Sequence, residues 1–208
     1  DQSLSMARFA NVAFSDGSLL HGFSQRILKQ QPLSAPLDTS RFFITKQEAG
    51  ELCLLSALFG ENRDIFIPKI QAGLELTHFN DIAARYLDIL GYEPFICSSE
   101  DEARARINEL IRLKKWPCFY FYSDTTGEKS FEEFATANEL VDTKKFKTIE
   151  IIKNSSVFDN AGLDRFSNDL ALIRDKGQWD KPELVKLFES LLEEFSHEDS
   201  GKYLDGRM

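Results

Sequence analysis

Apolar residues recur along this chain with two periods, and the period assigns the elements. Near the amino end, Met6-Ala7-Arg8-Phe9-Ala10-Asn11-Val12-Ala13-Phe14 is a nearly continuous apolar run, the pattern of a buried strand in a parallel sheet. Ser15-Asp16-Gly17-Ser18 is rich in helix-capping side chains and predicts a turn into a helix with Leu19, Leu20, Phe23, Ile27 and Leu28 on one face. After Pro32 and Pro36, Arg41-Phe42-Phe43-Ile44 reads as a short strand. Thr45-Lys46-Gln47-Glu48 has the T-x-x-E form of a capping box, opening a helix that packs through Ala49, Leu52, Cys53, Leu55 and Leu58 and closes at Gly60. Asp64-Ile65-Phe66-Ile67-Pro68 is another strand. Thr77 is placed to cap a helix carrying Phe79, Ile82, Ala83, Tyr86, Leu87 and Leu90, which ends at Gly91.

The second half continues the alternation. Pro94 to Cys97 reads as a strand, followed by a helix that is acidic at its start (Glu100, Asp101, Glu102) and basic at its end (Arg112, Lys114, Lys115), as the macrodipole favours. Pro117 is expected to stop that helix. Cys118 to Tyr122 and Phe146 to Ile152 read as strands, with a short helix between them near Phe131 to Leu140. Beyond Asn154 two helices are expected, the last capped by Asp180 with Leu184, Leu187, Phe188, Leu191, Leu192 and Phe195 on one face. The polar tail from His197 to Met208 reads as a loop or extended arm. Strands alternating with helices make the class α/β.

Composition narrows the function. The 208 residues carry 25 Lys plus Arg against 34 Asp plus Glu, a formal charge of −9, which argues against a general nucleic-acid binder. A local basic pocket for one small anion is still compatible with that balance. No apolar run approaches the roughly 20 residues of a membrane span, and the amino end lacks a signal-peptide pattern. The three cysteines, Cys53, Cys97 and Cys118, sit among apolar neighbours at no metal spacing, so buried free thiols in a reducing, cytoplasmic setting are expected. An apolar strand so near residue 1 wants neighbours, which suggests the carboxy-terminal part of something longer.

Catalytic patterns are missing. His21, His78 and His197 have no partners at catalytic or metal spacing, there is no GxSxG or HExxH, and no glycine set matches a dinucleotide or phosphate loop. No tyrosine has a lysine four positions later. Several polar groups are nevertheless well placed. Asn11 lies in an apolar strand and is followed by Ser15 and Ser18 at a helix start, a natural site for an anion or sugar unless Asn11 merely satisfies backbone. Arg41 before an apolar strand could fork a diphosphate or form a surface ion pair. Lys69 follows a strand end, where open α/β sheets often face ligands. Glu128 and Lys129 in Ser123 to Lys129 could meet ribose hydroxyls and phosphate, or simply form a turn.

These residues fall in a familiar order. Arg8-Phe9-Ala10-Asn11-Val12, Ser15-Asp16-Gly17-Ser18, Arg41-Phe42-Phe43-Ile44-Thr45 before Glu48-Ala49, Ile65-Phe66-Ile67-Pro68-Lys69 and Gly127-Glu128-Lys129 together resemble the carboxy-terminal half of the nucleotide-sugar 4,6-dehydratases in the extended short-chain dehydrogenase/reductase superfamily. The nearest likeness is to bacterial UDP-N-acetylglucosamine 4,6-dehydratases of the polysaccharide-biosynthesis type. Within these, the stretch Ser123 to Phe134 and the ending His197 to Met208 look like the legionaminic-acid branch.

The resemblance implies late strands of a Rossmann-like parallel sheet over 1–75, a nucleotide-sugar-binding α/β region over 76–154 and carboxy-terminal helices over 155–208, with the cofactor half absent. It implies that Asn11, Ser18, Arg41, Glu128 and Lys69 hold the UDP part of the substrate; Ser15 and Lys129, from the residue pattern itself, are expected to join them. NAD or NADP would serve the parent enzyme, none being expected to bind this chain alone, and no catalytic residue is expected within it. A homo-oligomer in the bacterial cytoplasm is expected. An epimerase of the same superfamily, a non-catalytic UDP-sugar-binding module and an oligomerisation domain are the competing readings.

Overall fold

The computed structural model describes residues 3–123, 132–154 and 159–192, together with residues 195 and 197. The chain divides into two compact units, one of residues 1–123 and 129–154, the other of 124–128 and 155–208.

In the first unit the strands are β1 (Met6–Ala7), β2 (Asn11–Val12), β3 (Leu33–Pro36), β4 (Ser40–Ile44), β5 (Asp64–Pro68), β6 (Leu76–His78), β7 (Glu93–Ile96), β8 (Lys115–Phe121), β9 (Val141–Asp142) and β10 (Ile149–Lys153). The helices are α1 (Leu19–Leu28), α2 (Lys46–Phe59), α3 (Phe79–Ile89) and α4 (Glu100–Arg112). Three sheets result, ordered β1-β5-β10-β9, β2-β4-β6 and β3-β8-β7. The third is parallel throughout. The other two are mixed, because β10 runs antiparallel to β5 and β6 antiparallel to β4. The α/β class therefore holds, while the expected parallel sheet is only partly present.

The expected first strand is two strands in different sheets. Met6 stands opposite Ile65, whereas Asn11 stands opposite Phe43. The change of partner falls at Arg8, whose guanidinium leaves the apolar layer to bond the Phe134 carbonyl (2.7 Å) and both Glu139 carboxylate oxygens (3.1 Å each). The same contacts account for another departure. Residues 132–140 contain no helix, since Arg8 holds the Phe134 carbonyl and Glu139 accepts from the Thr136 N–H.

Helix ends follow the capping chemistry, with two corrections. The N-cap of α3 is His78, and Thr77 belongs to β6, opposite Arg41. α4 ends at Arg112, well before Pro117, because Lys114 takes a left-handed φ of 58° and turns the chain; Pro117 lies inside β8. The capping box on α2 is present with both reciprocal bonds. That helix buries Ala49, Leu52 and Ser56, so Cys53, about 100° further round, is exposed rather than buried, and Leu58 is exposed as well.

The main core joins Leu20 and Phe23 of α1, Leu33 and Ala35 of β3, Phe79, Ala83 and Leu87 of α3, and Trp116 and Cys118 of β8. A second cluster sets Phe42 and Ile44 of β4 against Ile65, Ile67 and Ile152, with Phe134 covering Phe42. The second unit holds α5 (Asn160–Lys176) and α6 (Lys181–Leu191), capped by Asp159 and Asp180. Phe166 and Phe188 meet edge-on between them. No helix among the described residues is long and apolar enough to cross a membrane.

Candidate functional site

The start of α1 is built by the turn that precedes it. Phe14 (φ 55°) and Gly17 (φ 77°) take left-handed conformations, costly for Phe14 and free for glycine, and bring Ser15 and Ser18 to the helix end. Ser18 is the N-cap, its Oγ accepting from the His21 N–H at 3.1 Å. Both serines are half-buried, and the first turn contains no acidic residue.

Other helices of the chain meet their own carboxylates there. Glu48 accepts from the Thr45 N–H (2.7 Å), and that bond holds its carboxyl below the usual range. Glu102 accepts from the Ser98 N–H (2.8 Å) with the same effect. Asp159 and Asp180 cap α5 and α6, and α3 has Asp81 in its first turn. A helix amino terminus carries about half a positive charge. At α1 that charge is left uncompensated by any capping or first-turn carboxylate.

Arg41 comes from β4, between β2 and β6. It is only 9% exposed. Burying a guanidinium is costly unless it is paired; here Nη1 donates to the Ser40 carbonyl (2.9 Å) and Nε lies 3.3 Å from a Glu132 oxygen. Asn11 is opposite Phe43, two residues along β4 from Arg41, so Asn11 and Arg41 stand on one face of the same sheet.

Lys69 follows β5. Its Nζ donates to the Thr143 carbonyl (3.1 Å) and lies 3.7 Å from Glu150. It lines a hollow of about 560 Å3 together with Phe43, the residue opposite Asn11, and Thr77, the residue opposite Arg41. Glu48, Glu51 and Glu75 line that hollow too, so its charge suits a neutral sugar or base better than a phosphate.

Five of the seven expected residues are thus placed. Asn11 and Arg41 share one sheet, Ser15 and Ser18 lie in the turn from β2 into α1, and Lys69 lines a hollow whose wall includes their strand neighbours Phe43 and Thr77 but none of those four residues. Glu128 and Lys129 lie outside the described residues. Sequence reasoning missed Glu132 and Glu150, which hold the two cations and together line a smaller hollow of about 340 Å3. Only the fold makes them neighbours, and no local spacing marks them.

The thiols offer no nucleophile in the core. Burial pushes the Cys118 thiol up to about 11 and raises Cys97 as well, with Glu102 adding to the effect. Tyr120 is also raised, chiefly by burial, with the neighbouring Cys118 adding to the effect. No cluster of metal-ligating side chains occurs among the described residues.

A dinucleotide fits these residues poorly. The parallel β7-α4-β8 unit has the right frame, but Cys97-Ser98-Ser99 at its turn contains no glycine, and Glu102 faces the N–H groups a pyrophosphate would need.

A family model described as "Polysaccharide biosynthesis protein" matches residues 1–154. The chain belongs to that family. The match spans the strands and helices that carry Asn11, Ser15, Ser18, Arg41 and Lys69, and stops before α5 and α6. Among solved structures, the family's chain is similar to the X-ray structure of Pen from Bacillus thuringiensis, at 20% identity and a TM-score of 0.53. The likeness covers 74% of this chain and 40% of that one, and it speaks to the fold. No curated protein matches.

Proposed function

We propose that the chain is the UDP-sugar-binding part of an NAD(P)-dependent nucleotide-sugar 4,6-dehydratase, acting on UDP-N-acetylglucosamine in bacterial surface-polysaccharide biosynthesis. The observation that carries this reading is the buried Arg41 on the strand beside Asn11, in a chain of the polysaccharide biosynthesis family. Arg41 and the start of α1, whose cap and first turn carry no carboxylate and whose nearest one, Asp16, is exposed beside His21, supply charge for the diphosphate, while Asn11, Ser15 and Ser18 supply hydrogen-bond donors. Lys69 bounds the hollow in which a neutral sugar or uridine ring fits. Glu128 and Lys129 complete the set by resemblance.

The chain's own residues bind and orient; the dinucleotide would supply oxidation at sugar C4 and return of the hydride at C6. The 208 residues hold neither a glycine-rich loop nor a Tyr/Lys pair for that chemistry, so this chain by itself is expected to bind without turnover.

Titration calorimetry with UDP-N-acetylglucosamine tests the binding. UDP should compete and free N-acetylglucosamine should not. Absence of binding by both nucleotides would overturn the reading. A 4-keto-6-deoxy product from the protein as made in its source cells identifies a dehydratase, whereas a 4-epimer or 5-epimer would replace that assignment.

A further inference from the structure

Three loops that follow helices lie together at one edge of the parallel sheet. β3, β8 and β7 run parallel in that order, so their amino-terminal ends share an edge. The chain enters them through residues 29–32 after α1, 113–114 after α4 and 90–92 after α3. These loops brace one another. Trp116 Nε1 donates to the Gln31 carbonyl (3.0 Å), the Glu93 N–H donates to the Lys114 carbonyl (2.9 Å), and the Tyr92 ring stands edge-on to Trp116.

Aliphatic side chains stand on this edge uncovered. Ile89 is 80% exposed, Leu28 76% and Leu113 61%. Cations surround them, with Arg26 and Lys29 at the end of α1 and Arg112, Lys114 and Lys115 at the end of α4. The acidic groups here are Asp88, Glu93, which is 3.5 Å from Lys115, and Glu109 in the last turn of α4, which Arg106 holds at 3.2 Å. In a chain with a formal charge of −9, this end is locally positive. Helix carboxy termini favour cations, but the macrodipole gives no reason for exposed isoleucine and leucine tips among them.

We propose that this edge docks on the anionic surface of a lipid bilayer. The aliphatic tips enter the headgroup boundary, and the lysine and arginine heads meet lipid phosphates and carboxylates. A second copy of the chain fits less well, because a two-fold interface would set this basic edge against itself. Nucleic acid would use the charge and leave the aliphatic tips without a partner.

Cosedimentation of the 208-residue chain with vesicles decides it. Binding to phosphatidylcholine vesicles containing about a third phosphatidylserine should exceed binding to phosphatidylcholine alone by at least about tenfold, and should fall as salt is added. The Lys29→Glu/Arg112→Glu pair should lower binding to the level of the neutral vesicles. The Ile89→Ser/Leu113→Ser pair should lower it by about tenfold at constant charge. All four positions are exposed, so far-ultraviolet circular dichroism and the thermal midpoint should stay unchanged. Equal binding to both vesicle types, or full binding by both variants, would overturn the proposal. So would absent vesicle binding together with a concentration-dependent mass that these variants abolish, which would assign the edge to a second copy.

Discussion

Replacing Arg41 with Met separates a ligand-binding role from a structural one. In the folded chain the guanidinium loses its bond to the Ser40 carbonyl and its pairing with Glu132. The first is worth about 1 kcal/mol and the second about 0–1 kcal/mol, because the Glu132 side chain is partly exposed and can rehydrate. Met keeps most of the apolar stem in place. Loss of these two contacts should cost no more than about 2 kcal/mol, read as a shift of the urea midpoint at unchanged m-value. Binding should suffer more. A charged group hydrogen-bonded to phosphate contributes roughly 1.5–3 kcal/mol, or about a 10- to 150-fold increase in the Kd for UDP. Calorimetry under conditions where both proteins are fully folded gives the comparison. An unchanged Kd would refute the reasoning. So would a stability loss above about 4 kcal/mol, which would make Arg41 a structural residue.

Ser18→Asp should preserve α1, since aspartate caps as well as serine, yet weaken UDP binding by about tenfold or more by setting a carboxylate at a helix start whose first turn has none; calorimetry and the urea midpoint read the two effects. Arg8→Ala should cost about 1–3 kcal/mol in urea unfolding, because it removes a two-pronged pair and leaves the Phe134 carbonyl without its guanidinium donor. A disulfide-exchange reagent should titrate one thiol rapidly in the folded chain, Cys53, and three after unfolding. Burial raises the Glu139 carboxyl, but bonds from Arg8 and the Thr136 N–H outweigh it and hold the group below its ordinary 4.5. A lowered carboxyl stabilises the fold above its unfolded value, so stability should fall as pH drops below about 4.5, and Arg8→Ala should flatten that fall.

Local chemistry was readable and partner choice was not. The Thr45–Glu48 box, the Ser18 and Asp180 caps and the helical faces of α1 and α3 depend on residues three or four apart, and the sequence displays those distances directly. The split of residues 6–14 into β1 and β2 depends on Glu139, more than a hundred residues away. β3, written as Leu33-Ser34-Ala35-Pro36, has no strand signature between two prolines; it forms because it lies beside β8 and buries Leu33 and Ala35 under α1 and α3. Pro117 reads as a helix stop, yet parallel neighbours on both sides draw it into β8. The same limit governs the site. Asn11, Ser15 and Ser18 are visible as one cluster because they are close in sequence, whereas Glu132 and Glu150 become partners of Arg41 and Lys69 only when the sheets form.

Those two carboxylates change what binding costs. An acidic chain that buries an arginine must neutralise it before any ligand arrives, and Glu132 does so from a half-exposed position. On the proposed function, a diphosphate reaching Arg41 would exchange one anion for another at the guanidinium, and Glu132 would return to water. The same exchange is open at Lys69 with Glu150. Because each cation already has a counter-charge, much of the Coulomb attraction for phosphate is spent before binding, and the salt dependence of UDP affinity should be shallow compared with an exposed basic patch. On the proposed function, selectivity then rests on geometry: a planar fork at Arg41, N–H groups at the start of α1 and a neutral-suited hollow beside Lys69. Inorganic phosphate satisfies the first two and leaves the hollow empty, so it should compete weakly, and a nucleoside diphosphate sugar that fills all three should bind far better.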